Sequence, residues 1–141
     1  MKIIDKFWLN IAKNLIWEKF PKDGNKWIDG RYYWFRDGKL NIAKNCLLNK
    51  KNKEKNKNAI IFINQKKKVK EITYEELTNK VNHFSIFIRN LEKENNTDFK
   101  QVIIHASASE VSAVSMLAFA KLGIHFSVIF EDLPEHAIDE R

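Results

Sequence analysis

A chain of 141 residues with 44% hydrophobic and 12% aromatic side chains is long enough to bury a core, which sets aside a disordered or fibrous polymer. Its formal net charge of +7 is mostly lysine, gathered in Lys50, Lys51, Lys53, Lys55, Lys57 and Lys66 to Lys68 among asparagines. No aromatic residue is interleaved with Lys50 to Lys57 to stack on bases, so solvated loops are expected there and no specific nucleic-acid partner.

Ile4, Phe7, Trp8, Ile11 and Leu15 recur at spacings of three and four, one apolar stripe on a helix that must dock on something. From Trp17 to Phe35 the periodicity breaks. Pro21, Gly24 and Gly30 punctuate an aromatic-rich stretch with Trp27, Tyr32, Tyr33 and Trp34, read as an irregular arm pinned by large side chains. Asp37-Gly38 signals a turn. Asn41 is placed to cap a short helix with Ile42, Ala43, Cys46 and Leu47, followed by a loop from Asn49 to Lys57.

Ala59 to Ile63 reads as a strand, Asn64 to Lys68 as a hairpin turn and Val69 to Ile72 as the return strand. Thr73 and Glu76 form a capping box opening a long helix with an apolar face of Leu77, Val81, Phe84, Ile88 and Leu91. Glu92 to Asp98 is expected to be loop. Gln101 to His105 reads as a second, buried strand. Ser109 caps a helix over Glu110 to Leu122, Gly123 stops it, Ile124 to Phe130 is a further strand, and Pro134 starts another helix. Strand, helix, strand, helix implies an α/β fold: a helical and irregular arm, then the start of a parallel sheet.

Few residues offer chemistry. Cys46 is the one cysteine, so no intrachain disulfide can form, which fits a reducing compartment. No run is apolar enough for a signal peptide, and none reaches the roughly 20 residues of a membrane span. A cytoplasmic protein without a membrane partner is expected. His83, His105, His125 and His136 have no second ligand at a metal-binding spacing and are read as partly buried structural histidines. Ser107, Ser109, Ser112 and Ser115 lack the flanking glycines of a nucleophile elbow, and no phosphate-binding glycine motif is present. No catalytic or metal-ligating residue is therefore assigned. Glu131 and Asp132 follow Phe130 at the C-terminal end of a parallel strand, the edge where open α/β sheets bind ligands. A solvated acidic turn is the alternative for that pair.

Several motifs carry a resemblance. Phe7-Trp8, Ala12, Leu15 and Trp17 resemble a cap helix. Trp34-Phe35, Gly38-Lys39-Leu40-Asn41 and Asn45-Cys46-Leu47 resemble an arm of the form W-F-x-x-G-K-L-N-x-x-x-N-C-L. Ile72-Thr73-Tyr74, Glu76 and Leu77 resemble a helix start of the form I-T-Y-x-E-L. Val114, Met116-Leu117-Ala118, Gly123, Ser127-Val128 and Phe130 resemble a core unit of the form A-V-x-M-L-A-x-x-x-x-G-x-x-x-S-V-x-F, and Ala137 and Arg141 continue it. Together they resemble, in order and over the whole chain, the N-terminal region of AMP-forming short-chain acyl-CoA synthetases of the acetyl-CoA and propionyl-CoA synthetase type.

The resemblance implies a cap region over residues 1–57 and the incomplete beginning of the synthetase's N-terminal domain over 58–141. It also implies ATP, Mg²⁺ and CoA as cofactors of a full-length member and none for this portion. The ATP loop, adenine motif and catalytic lysine of that family lie downstream, so the remainder of the synthetase chain is the implied partner. Phe130, Glu131 and Asp132 match a family segment, F-G-G, that lies against the adenine of CoA. Phe130 is retained, and Glu131 and Asp132 replace the glycines that allow close backbone approach. Ser107 and Glu110 stand where the family has prolines, and His125 lies one position earlier than the family's strand histidine. The reading is an N-terminal portion of such a synthetase, inactive alone. A non-catalytic interaction module or remnant binding another chain is the alternative.

Overall fold

The structure, a computed structural model, describes residues 2–48 and 55–133. It divides into two units, residues 1–53 and 54–141, each taken by itself. The expected helix at Pro134, with His136, and most of the loop from Asn49 to Lys57 lie outside the described residues.

The first unit runs α1 (Lys2–Ala12), β1 (Trp17–Lys19), β2 (Asn25–Ile28), β3 (Arg31–Trp34), β4 (Lys39–Leu40) and α2 (Ile42–Leu48). The segment read as an irregular arm holds three strands. β2 and β3 form an antiparallel hairpin with Lys26 opposite Tyr33, and β1 pairs with β4. Asp29 and Gly30 both have positive φ, 48° and 78°, as a two-residue hairpin turn of matching twist requires. All four β3 residues are exposed, so their side chains carry no alternation that would reveal a strand.

The stripe on α1 is largely uncovered among the described residues. Ile4, Phe7 and Ile11 are exposed, while Ala12 is buried and Trp8 meets the edge of Trp34 with ring centroids 4.9 Å apart. The face that packs is set by Asp5, whose carboxylate accepts the Gly24 and Asn25 amides at 2.6 and 3.2 Å. A Cβ at Gly24 would come within 2.7 Å of the Asp5 carbonyl oxygen, so only glycine fits there. The aliphatic core is thin, with Ala12, Ala43 and Leu47 buried, and aromatic edges fill in: Trp17 lies against Phe20 and Phe35.

The second unit runs β5 (Asn58–Ile63), β6 (Val69–Thr73), α3 (Tyr74–Glu94), β7 (Gln101–His105), α4 (Glu110–Leu122) and β8 (His125–Ile129). β5 and β6 are an antiparallel hairpin, its turn fixed by the Asn64 side chain accepting the Lys66 and Lys68 amides. β7 and β8 pair in parallel, Gln101 opposite His125 through His105 opposite Ile129, and α4 makes the crossover between them. The α/β architecture is the expected one. Ile88, Ile104, Phe119 and Ile124 form the core, and Phe84 meets Phe119 edge-on at 5.9 Å.

Thr73 caps α3 in a full box: its hydroxyl accepts the Glu76 amide at 3.2 Å and the Glu76 carboxylate accepts the Thr73 amide at 2.8 Å. Thr73→Ala is expected to destabilise the chain by about 1 kcal/mol, read as a shift of the urea midpoint at unchanged slope. No shift would mean the box contributes nothing.

Three expectations for this unit are corrected. The helix does not dissolve at Glu92. It runs to Glu94, and Glu92 is buried, taking the Arg89 guanidinium at 2.6 Å and the Phe99 amide at 2.9 Å on its two oxygens. A carboxylate so partnered tolerates burial. His83, His105 and His125 are exposed, not partly buried: His83 faces outward from α3, and the two strand histidines share a face of the parallel pair with the exposed Gln101, Ile103 and Ser127. β7 likewise buries only Ile104 fully.

Candidate functional site

The parallel register of β7 and β8 brings their C-terminal ends to one edge of the pair. The chain leaves β7 through Ala106, Ser107 and Ala108 into the cap of α4, and leaves β8 into Phe130, Glu131 and Asp132. The three residues singled out from sequence therefore sit at the edge expected of them. Phe130 is 76% exposed, and its carbonyl accepts the Leu133 amide at 3.2 Å, closing a turn in which both carboxylates are exposed. Neither Glu131 nor Asp132 has an ion-pair partner among the described residues.

The α4 end of this edge is chemically quiet. The Ser109 hydroxyl accepts the Ser112 amide at 3.3 Å, and the Ser112 hydroxyl accepts the Ser109 amide at 3.0 Å while donating to the Ser109 carbonyl at 2.8 Å. These hydroxyls are occupied in capping, which rules them out as poised nucleophiles in this arrangement. Glu110, next in line, takes Lys70 from β6 and Lys80 from α3, the latter at 2.8 Å. Hydrogen bonds from the two ammonium groups, Lys70 first, hold its carboxyl below the usual carboxylate range. The trio ties α4 to α3 and β6.

What the edge offers is an exposed aromatic ring beside two unpaired carboxylates. It is suited to stacking a planar group and unsuited to a phosphate. Among the described residues no three His, Cys, Asp or Glu side chains are grouped to hold a metal ion. No helix among them is long and apolar enough to cross a membrane.

In the first unit the motif residues act as joints. Asn41 caps α2 by accepting the Lys44 amide at 3.1 Å. Asn45 accepts the Ile16 amide at 2.8 Å and donates to the carbonyls of Ile16 and Asn41 at 2.9 and 3.0 Å, fastening the chain before β1 to α2. Gly38 lies against Trp17: a Cβ there would be 2.5 Å from the ring. The Trp17 indole donates to the Ala12 carbonyl at 2.8 Å. Asn45 and Glu92 were not singled out as contacts from sequence alone, because Asn45 binds only backbone groups and the long-range partner of Glu92 is the Phe99 amide, and backbone partners leave no pattern in side-chain spacing.

Comparison with known proteins agrees with this arrangement. Residues 2–46 match the family model described as acetyl-coenzyme A synthetase N-terminus. An acetyl-coenzyme A synthetase of Desulfatibacillum aliphaticivorans is 34% identical over 141 residues, covering 97% of this chain and 21% of that protein. One of Helicobacter pylori strain P12 is 32% identical over 139 residues, with the same 97% and 21% coverage. The chain thus spans about one fifth of the length of the curated relatives it matches. Among solved structures, an acetoacetyl-CoA synthetase from Streptomyces lividans shares the fold, with a TM-score of 0.80 at 17% identity, over 100% of this chain and 22% of that one. With the arm motifs serving as joints and the relatives aligned along nearly its whole length, the chain carries the N-terminal region of an acetyl-CoA synthetase family member.

Proposed function

We propose that the chain is the N-terminal portion of an AMP-forming short-chain acyl-CoA synthetase, whose complete reaction converts carboxylate, ATP and CoA to acyl-CoA, AMP and pyrophosphate in the cytoplasm. The observation carrying this reading is the 34% identity to an acetyl-coenzyme A synthetase across 97% of the chain. The 141 residues do not catalyse the reaction by themselves, since their sequence contains no phosphate-binding glycine loop. ATP and Mg²⁺ belong to the rest of the synthetase, which is the partner this portion requires.

For CoA the fit is divided. The exposed ring of Phe130 suits an adenine face, whereas the Glu131 and Asp132 carboxylates repel phosphate and their side chains stand where a backbone would have to approach closely. The chain's contribution to CoA is therefore confined to the Phe130 ring. A non-catalytic interaction module is the second reading, favoured by the apolar side chains exposed on both units.

Pyrophosphate release with ATP, Mg²⁺, CoA and acetate or propionate tests the proposal. The 141-residue chain is expected to show none above buffer, and the longer protein that carries it is expected to turn over. Substrate-dependent turnover by the 141 residues, free of host synthetase, would overturn the first expectation. A full-length product with no turnover on either acid would favour the interaction module.

A further inference from the structure

We infer that a concavity of about 390 Å³ in the first unit binds a phosphate-bearing anion, a site separate from the Phe130 edge. It is lined by Lys19 at the end of β1, Lys22 in the following loop, Lys26 and Tyr33 facing each other across the hairpin, and Arg36 beyond β3. Two carboxylates share the lining, Asp23 and Asp37, against four cations.

The acidic pair does not neutralise the cluster. Asp37 is committed locally: it accepts the Lys22 amide at 3.0 Å and lies 3.9 Å from the Lys19 ammonium. The backbone hydrogen bond from Lys22 is the main reason its carboxyl sits below the ordinary value. Lys22, Lys26 and Arg36 have no ion-pair partner among the described residues. The Arg36 guanidinium lies 5.1 Å from the Tyr33 ring centroid, a stacking that holds a planar, two-pronged donor at the rim. A concave wall carrying surplus charge of one sign concentrates potential, and the volume is in the range of small-molecule sites, about 300–1,000 Å³. An anion carrying several phosphates engages Lys22, Lys26 and Arg36 together, where a monoanion would leave charge uncompensated.

Tripolyphosphate titrated calorimetrically into the 141-residue chain at physiological ionic strength tests the inference. One saturable site is expected. Lys22→Gln/Lys26→Gln/Arg36→Gln should weaken binding at least about tenfold, since charge-assisted contacts are the strong ones. Lys66→Gln/Lys67→Gln/Lys68→Gln removes the same three charges from the β5–β6 turn and should leave affinity unchanged. No saturable binding, or equal losses in the two variants, would overturn the site. If the first variant loses the parent's tryptophan emission, Lys22→Gln alone replaces it. A fall of about threefold is then expected, and unchanged affinity overturns the inference. ATP titrated alongside separates the sources: tighter binding than tripolyphosphate supports a nucleotide with its base on Tyr33, and equal binding supports a free polyphosphate.

Discussion

Ile72→Ala is expected to cost the chain about 2–5 kcal/mol, a large share of the roughly 5–15 kcal/mol that holds a domain folded. Ile72 is 1% exposed and is paired with Ile60 across the β5–β6 hairpin. The next residue is the cap of α3, so backbone on one side is fixed by strand pairing and on the other by the capping box. A backbone pinned at both ends cannot collapse into the space left by the missing side-chain atoms, which places the cost in the upper half of that range. Ile61, its neighbour on β5, is 58% exposed, and Ile61→Ala should cost no more than about 0.5 kcal/mol. Urea unfolding followed by far-ultraviolet circular dichroism compares the two. A loss under about 1 kcal/mol for Ile72→Ala would show that the hairpin and α3 relax independently of each other.

The second unit was legible in the sequence because its signals are local. Ser109 caps and Gly123, at φ 74°, stops α4, so that helix and β7 fall on the residues the sequence reading marked. Thr73 with Glu76 did the same for the start of α3. Its end was misread because Glu92 looks like a solvent residue until the Phe99 amide and Arg89 are brought to it. The first unit was less legible for a different reason. Its strands are short and largely exposed, and the one cue to the hairpin is Asp29-Gly30, a dipeptide that the surrounding aromatics obscured. α1 itself was legible but the contact that fastens it was not, since its apolar stripe is largely exposed and Asp5 makes the tertiary contact. At the candidate site, strand and helix order was enough to bring Phe130, Glu131 and Asp132 to the sheet edge. The pairing of Glu110 with Lys70 and Lys80 was not visible, since those residues are 40 and 30 positions apart.

The 141-residue chain alone is expected to self-associate at micromolar concentration. On the β5–β6 hairpin, Ile61, Ile63 and Val69 are each about 60% exposed and lie on one face, since Ile63 pairs with Val69 and Ile61 is two residues away along the strand. On the parallel pair, Ile103, Val128 and Phe130 are also exposed. Both sheets of this unit have two strands, so every strand in them is an edge with unpaired backbone groups. Lysines at the β5–β6 turn oppose association, but they stand at the hairpin tip and not on its apolar face. An apolar face beside an open edge is the combination that pairs with another copy, and each large aliphatic side chain covered returns roughly 1.5–3 kcal/mol. Sedimentation velocity and light scattering should therefore report oligomers. Ile63→Lys should shift the population toward monomer without lowering the melting temperature, because it adds charge to an exposed position and removes no core contact. A monodisperse parent melting sharply above about 60 °C, beyond the middle of the mesophile range, would show that these faces need no covering.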